Sequence, residues 1–161
     1  YPIAGGNATI FVYNPATNAI IKNITFQGSN AGKIISLNAS KIVGCYDDVV
    51  YMLDVATGSI IWQQSLGGGQ RIFGLVKANT TTFIIDHLYL QATHFKVRKY
   101  NLTTATTVTV NNTNIAEFDD ADFDESTKPT GLVVTSSNGN FYDLYITGLK
   151  AAYRIKSLGN F

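Results

Sequence analysis

Residues 50–62 read Val50-Tyr51-Met52-Leu53-Asp54-Val55-Ala56-Thr57-Gly58-Ser59-Ile60-Ile61-Trp62. Two apolar runs flank a short segment that an aspartate opens and a glycine closes. The Asp54 side chain can accept hydrogen bonds from the backbone that follows it, and Gly58 accepts a positive φ at no steric cost. This stretch therefore predicts a β-hairpin.

The same pattern recurs along the chain. Residues 11–21 match residues 51–61 at an offset of 40, a third copy at 98–108 follows 47 residues later, and a degenerate fourth around 146–148 follows after a further 45. Between successive hairpins lie two more strand-like runs, for example 34–37 and 42–46. A repeat of this length with four strands is typical of one β-propeller blade.

The predicted fold class is all-β, because short β-branched and aromatic runs bounded by turn residues fill the chain and no segment has a convincing helical period. We expect a single domain over 1–161, with repeat units of roughly 1–28, 29–68, 69–114 and 115–161. These are about three and a half blades of four antiparallel strands, whereas roughly four to eight close a propeller. The chain is thus expected to belong to a larger propeller or to assemble with another copy. A β-sandwich is the alternative fold.

Residues 51–62 resemble the repeat of quinoprotein-like (PQQ-like) β-propellers, Tyr-x-Leu-Asp-x-x-Thr-Gly-x-x-x-Trp. The first copy departs from it, with Asn14, Asn18 and Lys22 at the Asp, Gly and Trp positions. The resemblance implies that Trp62 docks one blade on the next. It does not imply catalysis, because the family's quinone site uses adjacent cysteines and a stacking Trp, and this chain has one Cys and one Trp. We predict no enzyme activity and no cofactor.

Asparagine supplies the strongest signal of cellular compartment. Acceptor sequences Asn-x-Ser/Thr occur at Asn7, Asn23, Asn38, Asn79, Asn101 and Asn111. These six are more than twice the number that chance predicts from 14 Asn and 27 Ser plus Thr. We predict N-glycosylation and a secreted or cell-surface location. The last four acceptors are expected in turns, whereas Asn7 and Asn23, nearer strand interiors, can carry sugar only if they face solvent.

Charge and hydropathy exclude two classes of partner. The net charge is +1, so the chain lacks the basic field that draws proteins onto nucleic acid. Its apolar runs are far shorter than the ~20 residues of a transmembrane helix, and we expect no such segment. Cys45 follows an apolar run and is predicted to be a small buried hydrophobe.

Other candidate sites are weaker. Residues 117–125 hold six carboxylates, and Asp120, Asp122 and Asp124 alternate as Ca²⁺ ligands do, although the Gly and the twelfth-position Glu of a full calcium loop are missing. An acidic surface loop is the alternative interpretation, and paired catalytic carboxylates are a third. His87 and His94 are interpreted as structural. Residues 67–70 lack the Lys-Ser/Thr of a phosphate loop and are interpreted as a turn between blades.

Two functions from different classes agree with these features. The first is an extracellular, N-glycosylated structural or adhesive propeller protein that self-assembles into oligomers or filaments or binds other extracellular proteins. An unpaired blade edge, which offers strand-pairing groups to a neighbour, favours it. The second is a fragment of a secreted propeller enzyme or carbohydrate-binding protein, whose active residues lie on further blades.

Overall fold

The computed structural model describes residues 7–27, 32–89, 94–102, 110–119, 131–137, 141–147 and 152–155. Within these ranges the chain forms thirteen strands and no helix. The strands are β1 (Asn7–Asn14), β2 (Ala19–Gln27), β3 (Ile34–Asn38), β4 (Lys41–Tyr46), β5 (Val49–Asp54), β6 (Ile60–Ser65), β7 (Gln70–Lys77), β8 (Thr82–Tyr89), β9 (His94–Leu102), β10 (Val110–Asp119), β11 (Gly131–Ser137), β12 (Phe141–Thr147) and β13 (Ala152–Ile155).

The strands form four antiparallel sheets in chain order. The first sheet is β1–β2, the second β3–β6, the third β7–β10 and the fourth β11–β13. Within each sheet every strand pairs with the next strand in sequence. Successive four-stranded meanders of this kind are propeller blades, so the predicted fold class is confirmed. The third sheet runs to Asp119, past the predicted unit limit near 114.

The hairpin turns show the chemistry that the repeat encodes. Asp54 Oδ1 accepts hydrogen bonds from Thr57 N at 2.8 Å and Thr57 Oγ1 at 3.0 Å. Gly58 has a φ of 63°, and its N–H donates to the Asp54 carbonyl at 2.7 Å. In the first copy Asn14 Oδ1 accepts the N–H two residues on at 2.9 Å, and Asn18 has a φ of 53°. The predicted turn roles of both copies are confirmed.

A β-bulge marks the same position in both copies. The register shifts between Val12 and Tyr13 in β1 and between Met52 and Leu53 in β5. Bulges bend the strand and increase its twist. The offset of 40 residues therefore repeats the backbone geometry as well as the residue types.

The second sheet packs on both of its faces. Alternate residues of a strand point to opposite faces. Tyr51 and Leu53 of β5 pack against Ile10 and Val12 of the first sheet. The opposite face joins the main core, which contains Leu37, Val43, Cys45, Val50, Met52, Leu75, Phe83, Ile85 and Tyr100. A two-sheet sandwich would cover only one face, so the described sheets do not form the sandwich alternative. Cys45 is buried in the core as predicted.

Aromatic rings centre the contact between the second and third sheets. Tyr100 of β9 is fully buried and stacks on Phe83 of β8, with ring centroids 5.0 Å apart. Trp62 of β6 meets the same tyrosine edge-on, with centroids 5.8 Å apart. Each such pair contributes about 0.5–1.5 kcal/mol beyond the burial of its area. Trp62 thus contacts the neighbouring sheet, which confirms its predicted docking role.

On the opposite face of the second sheet, the ring of Tyr51 lies over a glycine of the neighbouring strand. Gly44 and Tyr51 are directly opposite in the register, and a Cβ at Gly44 would overlap the Tyr51 ring. The glycine therefore gives the tyrosine room to lie flat on the sheet. Burial raises the pKa of the Tyr51 hydroxyl, so this ring stays neutral where it packs.

Polar contacts hold the connection between the second and third sheets. The turn of Asp47 and Asp48 accepts backbone hydrogen bonds from Leu66 N and Ile72 N, both at 2.8 Å. At the other side of the interface Asn112 Nδ2 donates to Gln64 Oε1 at 3.3 Å. Residues 67–69 lie between the two sheets and Gln70 opens β7, which confirms the predicted interblade turn for all but its last residue. Strand β7 then lies beside β3, β4 and β11, so the first strand of the third sheet contacts the sheets on either side of it.

The stacked tyrosine gives a first prediction. Tyr100→Ala should lower the free energy of unfolding by about 3–5 kcal/mol, because it leaves a cavity where three rings meet. Tyr100→Phe keeps the ring and should cost less than about 1.5 kcal/mol. Chemical denaturation followed by the fluorescence of the single tryptophan, Trp62, measures both. Equal losses for the two variants would contradict ring packing as the main term.

The Asp54 turn gives a second prediction. The backbone and side-chain hydrogen bonds from Thr57 hold the pKa of Asp54 below its ordinary value. A carboxyl whose folded pKa is depressed stabilises the fold above its unfolded pKa and loses that contribution as the pH falls through the folded pKa. Below about pH 4, the melting temperature of the wild type should therefore fall more steeply than that of Asp54→Asn, which keeps the Oδ1 acceptor. Identical pH profiles would show that the charge contributes nothing.

Candidate functional site

The six predicted acceptor asparagines lie in different local structures. Asn7 opens β1, Asn23 lies in β2, Asn38 ends β3, Asn79 lies between β7 and β8, Asn101 lies in β9 and Asn111 lies in β10. Asn23 and Asn111 are exposed, whereas Asn38, Asn79 and Asn101 are half-buried. The acceptors are therefore not equivalent in their access to solvent.

Asn38 and Asn79 close equivalent turns, as predicted. Asn38 Oδ1 accepts hydrogen bonds from Ser40 N and Ser40 Oγ, both at 3.0 Å. Asn79 Oδ1 accepts them from Thr81 N at 2.8 Å and Thr81 Oγ1 at 3.1 Å. Asn side chains commonly hold turns by such local bonds. At these two positions the Asn-x-Ser/Thr pattern has a structural role that needs no glycan.

Asn38 also joins two sheets. Its Nδ2 donates a hydrogen bond at 2.9 Å to the carbonyl of Thr80, which lies in the third-sheet turn. Nδ2 is the atom to which an N-linked sugar attaches, so a glycan there must share its nitrogen with this contact. The geometry favours Asn38 as a structural residue over an acceptor.

The prediction that Asn101 and Asn111 lie in turns is wrong. They lie in β9 and β10 and are directly opposite in the register. Asn101 Oδ1 accepts a hydrogen bond from Thr82 Oγ1 at 2.8 Å, and this bond ties the end of β9 to β8 and extends the ladder past the expected turn. Opposite residues lie about 5 Å apart, so two glycans would collide. The exposed Asn111 is the better acceptor of the pair.

Asn23 faces solvent, which is the condition for it to carry sugar. Its neighbour Lys22 is exposed but lies opposite Val12 of the packed face and against Gly58 in the turn between β5 and β6. Asn23 therefore points the other way, directly opposite Phe11 in the register, and both are exposed. The third residue of its acceptor sequence, Thr25, is exposed as well. The whole acceptor sequence borders solvent on one open face.

Asn23 belongs to an apolar surface that we call the outer face. It consists of Thr9, Phe11, Tyr13, Ile20, Asn23 and Thr25 of the first sheet. None of these residues is charged. Phe11 is 57% exposed, Tyr13 49% and Ile20 58%. Contiguous exposed apolar surface of this kind marks a contact site in soluble proteins.

The repeat shows what the outer face lacks. At the offset of 40, Phe11 and Tyr13 correspond to Tyr51 and Leu53. Tyr51 is only 5% exposed and Leu53 only 1%, because the first sheet covers them. The positions of Phe11 and Tyr13 are thus buried where a sheet precedes them, whereas Ile60, Gln63 and Ser65, which correspond to Ile20, Asn23 and Thr25, stay exposed. The sequence reasoning missed this face, although the offset was the signal that could have found it.

Two histidines and an acidic segment remain among the residues singled out in the sequence. His87 is buried in β8 and His94 opens β9, the adjacent strand. Asp120, Asp122 and Asp124 lie outside the described residues. Within the described ranges, no group of three or more His, Cys, Asp or Glu side chains could hold a metal ion. In the same ranges, no helix is long and apolar enough to cross a bilayer.

Comparison with known proteins adds a structural similarity. No family model matches the chain, and no curated protein matches it. Among solved structures the chain is similar to the crystal structure of the WD40 domain of SCAP from fission yeast, at 7% sequence identity and a TM-score of 0.36. That match covers 73% of this chain and 31% of the other. The chain thus spans less than a third of the length of that structure.

The half-buried and exposed acceptors give a third prediction. In protein made without glycosylation, Asn38→Gln should destabilise the fold by about 1 kcal/mol, because it loses the turn and the contact to Thr80. Asn23→Gln should leave the melting temperature unchanged. In protein from a glycosylating host, glycopeptide mass spectrometry should find sugar at Asn111 and little at Asn38. Full occupancy of Asn38 with no effect of its substitution would contradict the structural role.

Proposed function

We propose that this chain is an extracellular, N-glycosylated structural protein that assembles by stacking its sheets on those of further copies. The observation that carries the proposal is the exposure of Phe11 and Tyr13, whose repeat equivalents are buried by a neighbouring sheet. The outer face has the residue types of an interface between sheets. Within the described residues, no sheet packs on it.

The proposed occupant of the outer face is a second copy of this chain. The stacking order runs from the first sheet to the fourth, with β7 of the third sheet beside β3 and β11. A second copy that continued this order would place its fourth sheet on the outer face of the first. Such a head-to-tail contact closes into a ring or grows into a filament, depending on its rotation. The new interface would continue the established one between the first and second sheets.

The chemistry of the outer face supports a protein partner of this kind. The face holds large apolar side chains, threonines and one asparagine, and it lacks the charges that would attract nucleic acid. Burying an aromatic or branched side chain contributes about 1.5–3 kcal/mol. Because Phe11 and Tyr13 are already about half-buried, docking them contributes part of that figure against the entropy of association.

The extracellular part of the proposal rests on the acceptor asparagines. Asn23 and Asn111 are exposed, which a glycan requires, so at least two of the six acceptor sequences suit modification. Asn38 and Asn79 contribute less to this argument because their pattern holds turns. The resemblance to quinoprotein-like repeats stays a prediction. It implies a propeller scaffold and no activity.

Assembly gives a fourth prediction. Protein made without glycans should sediment as a multiple of the 17.5 kDa chain mass. Phe11→Asp should weaken association by about tenfold or more, since docking would bury a charge at a cost above about 1.4 kcal/mol. Sedimentation equilibrium measures both, and circular dichroism checks that the variant is folded.

A matched control lies in the second sheet. Ile34 is 47% exposed, a fraction similar to the 49% of Tyr13, but it is not part of the outer face. Ile34→Asp should associate as the wild type does. A wild-type chain that stays a 17.5 kDa monomer at every concentration would overturn the proposal, and so would equal loss of association in both variants.

A further inference from the structure

We infer that four exposed isoleucines form a row that inserts into the surface of a lipid bilayer. The isoleucine row consists of two consecutive residues near the start of β2 and two at the start of β6, which are Ile20, Ile21, Ile60 and Ile61. They are between 36% and 65% exposed. The inference goes beyond the proposed function, because the row lies on two sheets of one chain and needs no second copy.

A bulge in each sheet exposes both members of each pair. Alternate residues of a regular strand point to opposite faces, so neighbours seldom share one environment. Ile21 has no partner in the register of β1 and β2, and Ile61 has none in the register of β5 and β6. Each is therefore the extra residue of a bulge, which re-aims side chains. The repeat preserves this arrangement at its offset of 40 residues.

Stacking of the sheets does not cover the isoleucine row. The first sheet packs on one face of the second, and the third sheet packs on the other. Ile60 and Ile61 stay exposed although both faces are occupied. Their strand, β6, is at an edge of the second sheet, where the third sheet contacts Trp62 and leaves the two residues before it open. A further copy docked on the outer face would likewise leave Ile20 and Ile21 in solvent.

A lysine joins the two pairs across the sheets. Lys22 follows Ile21, and its side chain lies against Gly58, two residues before Ile60. The stem of a lysine can lie along apolar surface while its ammonium stays in water. This contact places the start of β2 beside the start of β6, so the two pairs belong to one row.

The size and chemistry of the isoleucine row favour a bilayer over a protein. Together the four side chains expose about the surface of two whole isoleucines, well below the ~800 Å² that each partner of a standard protein interface buries. A bilayer needs no complementary shape, because apolar side chains enter the fluid boundary between headgroups and acyl chains. The turns that border the row, 15–18 and 55–59, are uncharged, and Asp54 beside them lies opposite Lys41 in the register. Copies in an assembly would add their rows and strengthen binding through multivalency.

Flotation of glycan-free protein with phosphatidylcholine vesicles tests the inference. The wild type should rise with the vesicles in a density gradient. Ile21→Asp and Ile61→Asp should each lower the partition coefficient about tenfold, since insertion would bury a charge. Ile34→Asp is the matched control and should float as the wild type does, because Ile34 is exposed but lies in β3. Circular dichroism checks that each variant is folded.

A second measurement needs no substitution. Trp62 follows Ile61 and is the single tryptophan, so nitroxide-labelled phosphatidylcholine should quench its fluorescence when the row inserts. Sedimentation equilibrium without vesicles reports association separately. There Ile61→Asp should associate as the wild type does, since stacking leaves Ile61 exposed.

The outcomes separate this inference from the proposed function. A wild type that floats but stays monomeric without lipid overturns the proposed function alone, and one that associates but does not float overturns the inference alone. The inference also fails if Ile34→Asp loses flotation as much as Ile61→Asp, or if flotation leaves Trp62 unquenched. Loss of association in Ile61→Asp would overturn it too, because the row would then be a contact between copies.

Discussion

The contact at which Trp62, Tyr100 and Phe83 meet is the constraint on which the described structure depends. Trp62 of the second sheet meets Tyr100 of the third with ring centroids 5.8 Å apart, and Phe83 stacks on Tyr100 within the third sheet at 5.0 Å. Because both faces of the second sheet are then occupied, the sheets stack in chain order. A sheet in such a stack needs a neighbour on each face. For this reason we interpret the exposed apolar residues of the first sheet as an interface.

Much of the fold could be predicted because the repeat encodes local chemistry. Asp54 and Asn14 hold their turns through side-chain oxygens, and Gly58 and Asn18 take positive φ, as residue type alone indicates. The packing role of Trp62 was implied by the resemblance to quinoprotein-like repeats, whose pattern places a Trp at that position. The burial of Cys45 follows from the apolar run before it.

Other features depend on contacts between distant parts of the chain. The place of Asn101 in a strand follows from its bond to Thr82, 19 residues earlier, which no local pattern signals. The structural role of Asn38 likewise depends on Thr80, 42 residues later. An acceptor sequence and an Asn-held turn share the same letters, so the sequence alone could not separate glycan acceptors from turn residues. Only the exposure of each side chain distinguishes them.

We propose that the outer face is an interface between sheets that a second copy covers. Electron cryomicroscopy of the assembled, glycan-free protein tests it most directly. The account predicts a density map in which Phe11 and Tyr13 of one copy are covered by the fourth sheet of another, about 10 Å away. A map in which copies join through another surface and Phe11 remains open to solvent would contradict it.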